Sequence, residues 1–75
     1  MRKDKESQKR QILRHMELRG RISQWIATQE YHILRLGARI WDLRKDGYDI
    51  RDEMVYTTDE HGEHTHWKEY WLAPQ

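Results

Sequence analysis

Residues 35–50, Arg35-Leu-Gly-Ala-Arg-Ile-Trp-Asp-Leu-Arg-Lys-Asp-Gly-Tyr-Asp-Ile50, begin like a helix and end like a strand. With Ile33 just upstream, Leu36, Ile40 and Leu43 recur at intervals of three, four and three, the spacing of an apolar stripe on one side of a helix. Gly47 then offers the left-handed backbone on which helices end, and Arg44 and Lys45 suit the negative end of the helix dipole. Past Gly47 the period falls from 3.6 to 2, so a helix over about 34–46 gives way to a strand near Ile50. Turning the stripe inward sends Arg35, Ala38, Trp41, Asp42 and Lys45 outward and leaves Arg39 at the border.

Upstream, Ser7 is placed to cap a first helix over about 7–19, with Ile12, Leu13 and Met16 apolar, Arg10, Gln11 and Arg14 facing out, and Gly20 as its stop. Ser23 caps a short second helix, Gln24 to Glu30, with Ile22 as a hydrophobic staple, and Tyr31-His32-Ile33 reads as the turn into the third. His15 and His32 are expected at the surface or a helix edge. Residues 1–6 read as a flexible charged tail and 73–75 as a second tail, around a single domain over 7–72.

Downstream, strands over about 50–57 and 64–72 flank a turn at Asp59-Glu-His-Gly-Glu63. A two-residue turn would set Tyr70 and Leu72 opposite charged residues. A three-residue loop, Glu60-His61-Gly62 with Gly62 left-handed, instead pairs Ile50 with Leu72 and Met54 with Lys68. That register gathers Ile50, Met54, Tyr56, Tyr70 and Leu72 on one face and turns Val55, Trp67 and Trp71 outward. The fold expected is therefore α+β: a three-helix helix-turn-helix followed by a C-terminal β-hairpin wing.

At 75 residues the chain has room for one small core. It has no cysteine, hence no disulfide or thiolate metal site, and neither an apolar leader nor a membrane-length run. The net charge of +1 hides an imbalance: thirteen Lys and Arg against seven acids over residues 1–51 (+6), and one Lys against six acids over 52–75 (−5). The first part suits a polyanion and the second is repelled by one.

The stretch Arg35-Leu36-x-Ala38-Arg39-Ile40-x-Asp42-Leu43-Arg44-x-x-Gly47-Tyr48-x-Ile50 resembles the small helix-turn-helix domain of many phage and prophage proteins. Ser7-Gln8 with Arg10-Gln11-Ile12-Leu13, Gly20-Arg21-Ile22-Ser23 and the closing Tyr70-Trp71-Leu72 extend the likeness over about residues 7–72. The resemblance implies double-stranded DNA as ligand and transcriptional or replicative control, in the cytoplasm of an infected or lysogenic bacterium. The DNA-binding set expected is Arg35, Ala38, Arg39, Asp42 and Lys45, with Ser23 and Gln24 at the start of the second helix. The basic N-terminal residues Arg2, Lys3, Lys5, Lys9, Arg10 and Arg14 read either as an arm along DNA or as a solvated tail.

One departure favours a second reading. Family members close the hairpin with a basic tip, where this chain has Asp59, Glu60 and Glu63. Together with outward Trp67, Trp71 and Val55, the acidic tip suits a phage-encoded inhibitor or adaptor of a host protein, and a homodimer fits either reading. His61, His64 and His66 lack a fixed third ligand frame, so no metal or other cofactor is expected. The serines read as caps and the carboxylates are scattered, so an enzyme is not expected.

Overall fold

The computed structural model describes residues 5–74; Arg2, Lys3 and the rest of residues 1–4, with residue 75, lie outside the described residues. The elements run α1 (Lys5–Leu18), β1 (Ile22–Ser23), α2 (Gln24–Tyr31), α3 (Leu36–Lys45), β2 (Ile50–Thr58) and β3 (His64–Leu72). Three helices and a three-stranded antiparallel sheet make the expected α+β arrangement.

The stripe around residues 33–43 forms the middle of the core. Ile33, Leu36, Ile40 and Leu43 are buried with Ile12, Met16, Ile22, Ala27 and Ile50, and Leu13, Ile26, Tyr31, Tyr70 and Leu72 pack around them. Each fully buried aliphatic contributes roughly 1.5–3 kcal/mol over its exposed state, so a handful of side chains holds this domain. Gly47 ends the third helix with φ +104°. His32, at φ 57°, takes the left-handed position after α2 that glycine commonly fills, its amide donating to Ala27 and Thr28 carbonyls.

Three local expectations need correction. α1 begins at Lys5, so residues 5 and 6 are helical and Ser7 lies inside the first turn instead of capping it. His15 is buried, not at the surface. Its Nε2 lies 2.9 Å from the Arg21 carbonyl, which can only accept, so Nε2 donates there, and Nδ1 shares a hydrogen bond with the Tyr31 hydroxyl at 2.7 Å. One imidazole thereby ties α1 to α2 and to the chain leading into β1. Finally, Ile22 and Ser23 form a strand as well as the lead into α2, pairing Ile22 with Tyr70 and Ser23 with Glu69.

The sheet order is β1-β3-β2, which leaves β2 on an edge. Ile50 pairs with Leu72 and Met54 with Lys68, the register of the three-residue loop. Gly62, at φ +80°, donates to the Asp59 carbonyl at 3.0 Å, and Asp59 N–H donates to the Glu63 carbonyl at 2.9 Å. The Asp59 carboxylate accepts from the amides of His61 and Glu63, both at 2.9 Å, which holds the tip without any packing beneath it. Ile50 is buried and Tyr70 and Leu72 pack on the core, but Met54 and Tyr56, on the same face, are exposed because the hairpin runs out past the helices.

Candidate nucleic-acid interface

α2 and α3 meet through one carboxamide. Gln24 Nε2 donates to the Ile33 carbonyl at 2.8 Å and to Thr28 Oγ1 at 2.9 Å, while its Oε1 accepts the Leu36 N–H at 3.0 Å. Arg35, at the N-cap position of α3, provides no side-chain cap, so Gln24 satisfies an amide that would otherwise be orphaned. Ser23 is buried, and its hydroxyl accepts the Ile26 N–H at 3.3 Å as the cap of α2. Both residues expected at DNA therefore carry internal duties that set the angle between the two helices.

The cations divide into two groups. Lys9 joins Asp46 and Glu6, Arg19 joins Glu30, Arg21 joins Glu53 and Glu69, and Arg51 joins Asp49. The Asp46 and Glu6 carboxylates hold Lys9 above its ordinary range, and Arg51 holds Asp49 below its own. Arg44 donates to the Ile50 carbonyl through Nε (3.1 Å) and Nη2 (2.7 Å), and to Asp52 at 2.8 Å, pinning the end of α3 to β2. Arg39 lies half-buried with its Nε 3.2 Å from Asp42 Oδ2, a charge-to-charge contact lacking hydrogen-bond geometry. Of the residues expected to read DNA, Arg39 and Asp42 thus face each other.

Arg35 belongs to the other group. It is exposed at the start of α3 and makes no side-chain ion pair or hydrogen bond among the described residues. Lys45 is exposed with Nζ 4.5 Å above the centre of the Trp41 ring. Between them, Gly37 is exposed, Ala38 is half-buried and Trp41 is 60% exposed. Arg35, Ala38 and Lys45 accordingly share an outward side with Gly37 and Trp41. Lys5, Arg10, Arg14 and Lys68 are also exposed without a partner among the described residues.

The outer face of the wing has its own organisation. Arg21 lies over the Trp71 ring at 4.4 Å, and Trp67 Nε1 donates to Glu69 at 2.9 Å. That bond, followed by Arg21, lowers the Glu69 carboxyl below its usual range against the opposing effect of burial. Val55 and Trp71 are half-buried, whereas Trp67 remains open beside Trp25, which is 71% exposed, and Ile26, across a groove of about 490 Å³. Of the acidic tip, Glu60 and Glu63 project into solvent and the Asp59 carboxylate is taken up by the turn. His64 meets Thr58 at 3.1 Å and the His66 ring tilts against Tyr56.

A helix pair joined by a tight turn, its second member backed by the core and flanked by a long antiparallel hairpin, defines a winged helix-turn-helix, a class of fold that characteristically binds DNA. The model of a family described as a winged helix-turn-helix domain matches residues 7–75, and the chain belongs to that family. Neither a curated protein nor a solved structure matches it.

Trp41 and Gln24 show where sequence reading fell short. The wheel placed Trp41 outward, as one extension of the Trp67 and Trp71 face, where the structure sets Lys45 over its ring, and Gln24 bonds to residues nine and twelve positions away, beyond any local pattern.

Proposed function

We propose that this chain is a sequence-selective double-stranded DNA-binding protein acting as a transcriptional regulator, with α3 seated in the major groove. The observation that carries the reading is the sorting of the cations: half of the described Lys and Arg side chains are paired with carboxylates, while Arg35 stands free at the start of the helix this fold places against DNA. Ten residues of α3 span about 15 Å, enough to cross a groove about 12 Å wide. Arg35 supplies a fork for a guanine edge or a phosphate, Ala38 permits close approach, and Lys45 reaches a backbone phosphate. Arg39 and Asp42 position one another at the margin, and Ser23 and Gln24 act from behind by fixing the helix pair.

A single such helix makes few contacts, so a homodimer on two half-sites about one helical turn apart completes the proposal. The likeness of residues 35–50 to phage and prophage proteins supports a regulator acting in the bacterial cytoplasm. The test is binding to duplex DNA across a salt series. Arg35→Ala is expected to weaken binding about tenfold and to flatten the slope of log K against log salt by about 0.9 if the contact is to a phosphate. Identical affinity and slope for wild type and variant would remove the proposal's main support.

The exposed Trp25 and Trp67 beside the groove, with Glu60 and Glu63 at the tip, support a second reading in which a host protein is the partner. A host protein captured from lysate by wild type but not by Trp67→Ala, with no DNA retained, would favour it.

A further inference from the structure

We infer that the outward side of α3 selects its site chiefly by touching thymine methyl groups, with Arg35 as its main polar reader. This rests on the DNA-binding reading above and adds what part of the base pair is read.

The argument starts from what that side lacks. Near its start α3 presents Gly37 and Ala38, and a Cβ built at Gly37 would meet nothing within 4 Å. One turn further stands Trp41, 60% exposed, and just before the helix stands Leu34, 75% exposed. The side chains equipped to recognise adenine or cytosine edges are asparagine, glutamine and the acids. α3 contains no asparagine or glutamine, and its one acid, Asp42, faces Arg39. A base-pair edge brought against this side meets carbon nearly everywhere except at Arg35 and, at the far end, Lys45. In the major groove the matching apolar feature is the thymine 5-methyl group.

Two further features identify the occupant as DNA rather than an apolar protein face. Arg35 lies at one end of the apolar run and Lys45 at the other, so the carbon surface is bracketed by cations, as suits a methyl-bearing polyanion. Residues 38, 41 and 45 recur at intervals of three and four, placing Ala38, Trp41 and Lys45 on one side of the helix over about 10 Å, roughly three base-pair steps. Lys45 Nζ, 4.5 Å from the centre of the Trp41 ring, keeps a charge beside the indole for the backbone.

The experiment uses the full chain, kept limiting, against two pools of duplexes with the same randomised core, one made with thymine and one with uracil throughout. The pools differ only in the 5-methyl groups. Wild type is expected to favour the thymine pool by about fourfold per methyl touched, the ratio equivalent to ~0.8 kcal/mol per buried carbon. Leu34→Ala combined with Trp41→Ala should bind both pools alike. Both residues are exposed, and an unchanged melting curve will show that the variant is folded. Arg35→Ala should weaken both pools by the same factor and keep their ratio. Equal retention of the two pools by wild type overturns methyl reading and leaves DNA binding standing. Retention of neither pool overturns DNA binding itself. A DNA-free dimer that Trp41→Ala dissociates also overturns the proposal, because the apolar side would then be covered by a second copy.

Discussion

The helical end and the outer hairpin obey different rules. Nine apolar side chains between Ile12 and Ile50 are buried against one another, and every described element but β3 contributes to them. From Arg51 to Lys68 only Val55 is even half-covered. The hairpin keeps its shape through ladder pairing, the Asp59 turn and cross-strand contacts such as Tyr56 with His66. Packing therefore dictates residue identity in the first region and hardly constrains it in the second. Glu60 and Glu63 at the tip and the open face of Trp67 answer to something other than folding.

The sharpest way to break this contrast is a pair of truncations. Ile40→Ala in the packed region should cost about 2–5 kcal/mol in a urea melt, since it removes a fully buried side chain and leaves a cavity. Val55→Ala in the hairpin should cost less than about 1 kcal/mol. Equal losses would mean that the two regions share one stability. Next in size is Gln24→Ala, which strips the Leu36 amide of its acceptor and the Ile33 carbonyl of a donor. A loss of about 1–2 kcal/mol is expected, together with faster hydrogen exchange at Leu36. Unchanged exchange there would show that the two helices are fixed by packing alone.

The smallest effect concerns the place where the hairpin is anchored. Glu69 is held below its ordinary range, first by Trp67 and then by Arg21, so its ionised form belongs to the folded state. Its contribution is complete above the unfolded value of about 4.3 and is lost as pH falls through the lower folded value. Thermal midpoints followed from neutral pH to about pH 3 should fall less steeply for Glu69→Gln at the acid end. Parallel curves would show that the Trp67–Glu69–Arg21 cluster adds nothing to stability.

Much of this fold could be read from the order of residues, because its strongest signals are local. The intervals from Ile33 to Leu43 fix the buried side of α3, and the alternation around Gly62 fixes the hairpin register. Where the reading failed, the partner lay far off in sequence. His15 is buried only because the Tyr31 hydroxyl and the Arg21 carbonyl arrive from other segments. Two residues are too few for a period of 2, so β1 left no trace beyond a good cap and staple. The candidate site was visible as an outward list of side chains. The i, i+3 spacing of Arg39 and Asp42 already offered their pairing as the alternative to a DNA-reading role, and the structure shows the two in contact.

Because β2 closes the sheet on one side, its outer margin carries amide and carbonyl groups with no strand against them among the described residues. Such borders invite identical molecules to add themselves end over end when they are flat and greasy. Three consecutive charges, Arg51, Asp52 and Glu53, stand along this one, so a stacked neighbour would have to bring its own set into register with them. Exchange those three for valines and the same margin becomes a growth front for filaments.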